Sequence, residues 1–108
     1  MIEEHKDGAL VCLIQGEINI NNSPELRKIF DGIIKRNETR VLLDLSSVSY
    51  IDSSGLATLI EMFQRLKKIN GKLRLCNMAE KIKSVFELTK LNKLFEIFDT
   101  RELALKDF

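Results

Sequence analysis

The segment Asp52-Ser53-Ser54-Gly55-Leu56 places a carboxylate beside two hydroxyls, groups that a serine nucleophile and its neighbours could supply. A nucleophile of the hydrolase type requires glycine two residues before the serine, and Ile51 holds that position before Ser53. The only histidine is His5, near the N-terminus, where we expect an exposed strand residue. With no other histidine to act as base, the sequence argues against serine hydrolysis, and we expect a protein that is not an enzyme.

A simpler interpretation is that Asp52, Ser53 and Ser54 cap a helix. Carboxylate and hydroxyl oxygens accept the free N–H groups of a helix start, and Leu56 opens an apolar helical pattern. One cap is normally sufficient, whereas an aspartate, two serines and a glycine crowd this start. The surplus of polar groups indicates a further role for the segment.

No metal or cofactor site is expected, because the acidic residues form no ligand set and no glycine-rich phosphate loop precedes a lysine. Cys12 and Cys76 lie in apolar strand-like segments without metal-ligand spacing, so we expect buried free thiols. If the strands follow sequence order, these cysteines sit two strands apart, at about 9–10 Å, whereas a disulfide reaches about 7 Å.

Hydrophobic periodicity and chain-breaking residues define the elements that must position these groups. Asp7-Gly8 predicts a hairpin turn, Ser23 and Pro24 a capped helix start, and Asp99 with Glu102 a capping box. Strands are predicted at Ile2–Lys6, Ala9–Ile14, Arg40–Leu45, Lys72–Cys76 and about Phe95–Phe98. Helices are predicted from Pro24 to about Asn37, from Ser53 to a stop at Asn70-Gly71, over Ala79–Thr89, and briefly after Asp99, with Ser46–Ile51 as a loop.

Two opening strands followed by alternating helices and strands predict a single α/β domain over residues 1–108. We expect a mostly parallel sheet of four to five strands with an antiparallel N-terminal strand. Right-handed crossovers between neighbouring strands would place the main helices on one face. The predicted loop and helix start around Ser53 then lie where open α/β sheets carry their sites.

Composition excludes several classes of partner. The formal net charge is +1, which gives no general attraction to nucleic acid, and the basic residues Arg65, Lys67, Lys68, Lys72 and Arg74 are expected to form a solvated face. No apolar run approaches the roughly 18 residues of a membrane span. The N-terminus carries no secretory pattern, so we expect a cytoplasmic protein without membrane insertion.

The chain resembles the STAS-domain anti-sigma factor antagonists from about Leu10 to Phe98. The resemblance rests on Asp44-Leu45, six intervening residues, and then Asp52-Ser53-Ser54-Gly55-Leu56. Further similar features are Gly16-Glu17-Ile18, the helix from Pro24, Asn70-Gly71-Lys72, and Phe86-Glu87-Leu88 leading to Leu94-Phe95.

The resemblance implies a protein that binds an anti-sigma factor, itself a serine kinase, and so frees a sigma factor. Phosphorylation of the serine after the aspartate would end binding, which maps the switch onto Ser53, and a serine phosphatase would reset it. The implied partner surface comprises Asp52, Ser54, Gly55, Leu56 and the loop residues Asn19, Asn21 and Asn22. Asn19 departs from the aspartate of many family members, which leaves the choice of partner open.

Alternatives remain for the acidic residues and for the function. Asp52 positions the helix start and the approaching kinase, or merely caps the helix. Asp44 anchors a loop through backbone hydrogen bonds or contacts a partner, and we expect the anchor. STAS-like domains also serve as scaffolds or small subunits of signalling and transport complexes without a sigma factor partner. A serine at position 53 favours the phospho-switch over this alternative.

Overall fold

The computed structural model describes residues 1–108, which form five strands and four helices. The strands are β1 (Ile2–Lys6), β2 (Ala9–Ile18), β3 (Arg40–Ile51), β4 (Lys72–Cys76) and β5 (Glu96–Phe98). The helices are α1 (Ser23–Lys35), α2 (Ser53–Lys68), α3 (Glu80–Leu88) and α4 (Arg101–Leu105), and a 3-10 turn over Leu91–Lys93 precedes β5.

The sheet has the strand order β1-β2-β3-β4-β5, with β1 antiparallel to β2 and every other pair parallel. This confirms the predicted fold class, and the strands lie in sequence order, as was assumed for the distance between the two cysteines. The β1–β2 hairpin turns at Asp7 and Gly8, whose φ values of 53° and 80° suit the tight turn that an Asp-Gly pair favours.

The two sheet faces are covered differently. Leu10, Cys12 and Leu43 belong to the large apolar core beneath α1, α2 and α3, which confirms the expected placement of the main helices. Val11 and Cys76 point to the opposite face and pack with Ala104 of α4. The two thiols are free and buried, as predicted, and they also lie on opposite faces. Burial raises the pKa of both to about 12, so neither is a reactive thiolate.

The predicted loop at Ser46–Ile51 is wrong, because β3 continues through it. Pairing with β2 extends from Gln15↔Ser47 to Ile18↔Ile51, with register shifts between Leu13 and Gln15 and between Gly16 and Glu17. Val48 and Ile51 are buried, whereas the serines of the segment face solvent. The segment was predicted as a loop because its serines are polar, but they occupy the exposed side of a half-buried strand.

Local capping also differs from prediction at two helix starts. Ser23 is buried, and its hydroxyl donates to the carbonyl oxygen of Asn19 at 2.7 Å instead of capping α1. At α4 the cap is Thr100, whose hydroxyl oxygen accepts from the Leu103 N–H at 3.2 Å, rather than the expected Asp99.

Arg74 is not part of a solvated basic face, since only 7% of it is exposed. Its guanidinium donates to the carbonyl oxygens of Ala104, Lys106 and Asp107 at 2.9, 2.9 and 3.2 Å. The rings of Phe98 and Phe108 lie 5.0 and 4.6 Å from the guanidinium carbon, within the range of cation–π attraction. Arg74 therefore fixes the C-terminal segment against the sheet.

Asp44 is buried in the same face and completes this attachment. Its carboxylate accepts from the Ser46 N–H at 2.9 Å, as the anchor prediction required, from Asn77 Nδ2 at 3.2 Å and from Arg101 Nε at 2.6 Å. Burial favours the neutral acid, but these hydrogen bonds outweigh it and lower the Asp44 pKa. We call Asp44, Arg74, Arg101 and the segment 101–108 the C-terminal lock.

Candidate functional site

The candidate site lies where β2 and β3 project beyond their outer neighbours. β1 pairs with β2 only as far as Leu13, and β4 pairs with β3 only as far as Asp44. Residues 14–18 and 45–51 thus continue as a two-stranded ribbon that ends in parallel at Ile18 and Ile51. The loop 19–22 and the start of α2 follow directly, so both reach the same end of the molecule. We call residues 19–22 and 52–54 the switch end.

Asp52 joins the two halves of the switch end. One carboxylate oxygen accepts from the Gly55 N–H at 2.9 Å and caps α2, while the other accepts from the Ile20 N–H at 3.1 Å. The Asp52 N–H donates to the Ile18 carbonyl oxygen at 3.1 Å. Asp52 therefore caps the helix, as one of the two alternatives held, and it also positions the neighbouring loop. Loop 19–22 therefore lies beside the Ser53 helix start.

Gly55 is required by close packing. A Cβ at this position would lie 2.5 Å from the Ile18 carbonyl oxygen and 2.8 Å from side-chain atoms of Ile18 and Ile51. Any side chain would push α2 away from the ribbon. Gly55 and Leu56 are buried, so the expectation that they contact a partner gives way to a supporting role beneath the site.

Ser53 is exposed as the first residue of α2. Ser54 is half-buried, and its carbonyl oxygen accepts from the Thr58 hydroxyl at 3.0 Å. Of the two serines, Ser53 is the more accessible to a modifying enzyme. Its position beside the free N–H groups of the first turn also suits an anion.

The loop before α1 is held by reciprocal asparagine bonds. The Asn19 N–H donates to the Asn22 side-chain oxygen at 2.7 Å, and the Asn19 side-chain oxygen accepts from the N–H groups of Asn21 and Asn22 at 2.9 and 3.3 Å. The Asn22 amide also donates to the Glu17 carbonyl oxygen. Asn21 is exposed, whereas the side chain of Asn22 is used within the loop.

The amide of Asn19 has a consequence that an aspartate would not share. Its Nδ2 group lies 3.4 Å from the Glu17 carboxylate and donates to it. An aspartate could accept the same backbone N–H groups but would place a second carboxylate beside Glu17. The departure at Asn19 is thus compatible with the loop geometry while it removes one negative charge.

Two large apolar residues are exposed at this end: Ile20, which the sequence places in the loop with Asn21 and Asn22, and Tyr50, which sequence reasoning missed. Ile20 is 68% exposed and Tyr50 is 50% exposed, and they flank Asp52 from the loop and from β3. Tyr50 gave no signal, because the segment around it was taken for a loop.

Charged groups near Ser53 are few. Arg27 of α1 forms an ion pair with Glu61 of α2, with Nε 3.1 Å from the nearer carboxylate oxygen. A shallow depression between the two helices is lined by Ile20, Ser23, Pro24, Arg27, Ser54 and Ala57.

The structure contains no group of three histidine, cysteine or acidic side chains that could hold a metal ion. None of its helices has the length and apolar character needed to cross a membrane.

Comparison with known proteins gives a consistent result. The family model described as "STAS domain" matches residues 1–104. The anti-sigma-B factor antagonist of Bacillus subtilis is 32% identical over 84 residues, which cover 78% of this chain and 76% of the relative. BtrV of Bordetella bronchiseptica, provisionally designated an anti-sigma factor antagonist, is 31% identical over 102 residues, covering 94% of this chain and 88% of BtrV. A Thermotoga maritima crystal structure with the same provisional designation superposes with a TM-score of 0.92 at 26% identity, covering 98% and 92% of the chains.

Proposed function

Since the chain belongs to the STAS domain family and is an anti-sigma factor antagonist by homology, we propose that it acts as a phospho-switch whose switch residue is Ser53. The unphosphorylated domain binds an anti-sigma factor that is also a serine kinase, and a sigma factor is thereby released. The kinase phosphorylates Ser53 and ends the binding, and a serine phosphatase restores it. The observation that carries the proposal is the exposure of Ser53 at a helix start fixed by Asp52.

A phosphate on Ser53 is compatible with the fold. It would add about −1.5 to −2 charges at a helix N-terminus, where a negative group is favourable. Ser53 is exposed, so the modification displaces nothing from the core. The modified domain is therefore expected to stay folded.

The same phosphate opposes docking. It stands next to the carboxylate of Asp52, and a partner that covers it must remove both groups from water. A loss of about 3 kcal/mol in binding free energy corresponds to an affinity more than about a hundredfold weaker. The switch can thus act at the interface without remodelling the domain.

The proposed contact surface follows from exposure. Ser53 and Asn21 face solvent, and Asp52, Ser54 and Asn19 are partly accessible. Asn22, Gly55 and Leu56 are assigned to holding this surface in shape.

A paired pull-down from lysate of the source cells tests the proposal. The baits are the wild-type domain, Ser53→Asp, and Ser84→Asp as a matched control at an exposed position of α3. Bound proteins are identified by mass spectrometry after each bait is shown to be folded. We expect a serine kinase of the anti-sigma type with wild type and Ser84→Asp, and its loss with Ser53→Asp.

The contrary result is equally specific. If all three baits retain the same transport or scaffold proteins and no kinase, the switch assignment fails. The domain would then act as a scaffold or small subunit without a sigma factor partner.

A further inference from the structure

We infer that Arg27 receives the phosphate of modified Ser53 and leaves Glu61 to do so. The inference rests on the proposed role of Ser53 and adds the residue that recognises its modified state. It concerns the surface between the starts of α1 and α2, where Arg27 is the only basic side chain lining the depression.

The position of Arg27 allows the exchange. Its side chain lines the depression together with Ser54 and Ala57, and its guanidinium also reaches Glu61. Ser54, Ala57 and Glu61 follow one another along the face of α2 that meets α1. The Arg27 side chain therefore lies between the first turn of α2, at Ser54, and the third turn, at Glu61, and Ser53 directly precedes Ser54. A change of rotamer toward the helix start brings the guanidinium to the phosphate.

The ion pair between Arg27 and Glu61 is weak enough to be replaced. The side chains of Arg27 and Glu61 are 43% and 42% exposed, and ion pairs of such exposure are weak. A phosphate offers more charge than a carboxylate and matches the planar fork of arginine equally well. The competition is therefore expected to favour phosphoserine over Glu61.

The movement of Arg27 from Glu61 to the phosphate would change the charge of the phosphorylated surface at a second position. Glu61 loses its cation when Arg27 turns to the phosphate, so a negative charge is uncovered on α2 as well as at its start. A partner that fits the unmodified surface then meets altered charge at two positions.

A second pair between the same helices supplies a control. Arg65 of α2 bonds Asp31 of α1, and the Arg65 and Asp31 side chains are 30% and 42% exposed. This pair has the same chemistry but lies further along both helices. Loss of Arg65 removes one positive charge from the molecule without changing the depression beside Ser54.

The experiment installs phosphoserine at position 53 by genetic encoding, so that it needs no kinase. The phosphate is titrated by phosphorus NMR at low salt in four proteins: wild type, Arg27→Gln, Arg65→Gln and Glu61→Gln. Free phosphoserine has a second pKa of about 6, and a neighbouring cation lowers it. We expect Arg27→Gln to raise the phosphate pKa by about 0.5 and Arg65→Gln to leave it unchanged. Glu61→Gln, which removes the competing acid, should lower it.

The inference is overturned if Arg27→Gln titrates like wild type, or if Arg65→Gln raises the pKa as much as Arg27→Gln does. The second outcome would mean a general charge effect without contact. Denaturant unfolding of each variant confirms that the titrated state is folded. Failure of the pull-down would reject the kinase switch without changing this titration, so the two proposals fail separately.

Discussion

The C-terminal lock and the switch end each contain an aspartate from the same stretch of sequence. Asp44 of the lock is buried, whereas Asp52 of the switch end is partly exposed. Asp44 is 3% exposed and is tied by a backbone N–H, an amide and a guanidinium. Asp52 is half-exposed and accepts two backbone N–H groups, that of Ile20 in the loop and that of Gly55 in the first turn of α2. One aspartate secures a covered sheet face, and the other shapes the exposed surface that we propose as the contact surface.

This contrast assigns stability to the lock, and under the proposed function it assigns recognition to the switch end. The lock buries polar groups that are costly to leave without partners. The switch end holds its backbone in place by short-range hydrogen bonds while its side chains remain available. Changes in the lock should therefore alter the free energy of unfolding, and changes at the switch end should alter binding.

The largest effect on stability is expected from Arg74→Met. The change removes three hydrogen bonds to carbonyl oxygens and the contact with two aromatic rings, so we expect a loss of about 2–4 kcal/mol in the free energy of unfolding. Urea unfolding of Arg74→Met measures it. Lys72→Met, at an exposed position of the same strand, should change stability by less than about 0.5 kcal/mol. Equal effects of the two variants would contradict the lock.

Asp44→Asn should cost about 2 kcal/mol at neutral pH, because the Arg101 pair is weakened. It should also change the response to acid. The Asp44 pKa is lower in the folded state than its ordinary value of 3.8, so its stabilising effect is complete above that value. The effect is lost as pH falls through the lower folded-state pKa. Unfolding measured from pH 7 to pH 2 should show a shallower decline for Asp44→Asn than for wild type; parallel curves would refute the assignment.

The variants Asp52→Ala and Thr100→Ala each remove a helix cap, one at the switch end and one at the start of α4 beside the lock. Loss of a side-chain cap costs about 1 kcal/mol, and the same is expected for Thr100→Ala at the start of α4. Only Asp52→Ala also frees the Ile20 N–H, so amide hydrogen exchange at Ile20 should accelerate in that variant alone. Faster exchange at Ile20 in Thr100→Ala would break the separation of the two regions.

The smallest expected effect is on the rates at which the two cysteines react with a thiol reagent. Because Cys12 and Cys76 lie on opposite sheet faces, these rates report on each face separately. With pKa values raised to about 12 by burial, Cys12 and Cys76 should react slowly with a thiol reagent in the native protein. Arg74→Met should accelerate the reaction of Cys76, which lies under α4, and not that of Cys12. Mass spectrometry after brief labelling distinguishes the two sites. Equal acceleration would indicate global unfolding in place of local opening.

The sequence predicted what local signals determine. Asp7-Gly8 indicated the hairpin, the alternation of helices and strands indicated a mostly parallel sheet, and Asp52 indicated the start of α2. Three features could not be predicted from the sequence, because they depend on contacts with residues distant in the chain. Arg74 is buried by contacts with Phe98 and Phe108, Gly55 is required by the Ile18 carbonyl oxygen, and the second bond of Asp52 goes to Ile20.

The most direct test of the phospho-switch is the affinity of the anti-sigma kinase for the domain before and after stoichiometric phosphorylation of Ser53, measured by calorimetric titration. We predict that affinity falls more than about a hundredfold while the thermal unfolding temperature of the domain is unchanged. Equal affinity of the two forms, or a loss of affinity that accompanies unfolding of the domain, would contradict a switch that acts at the surface.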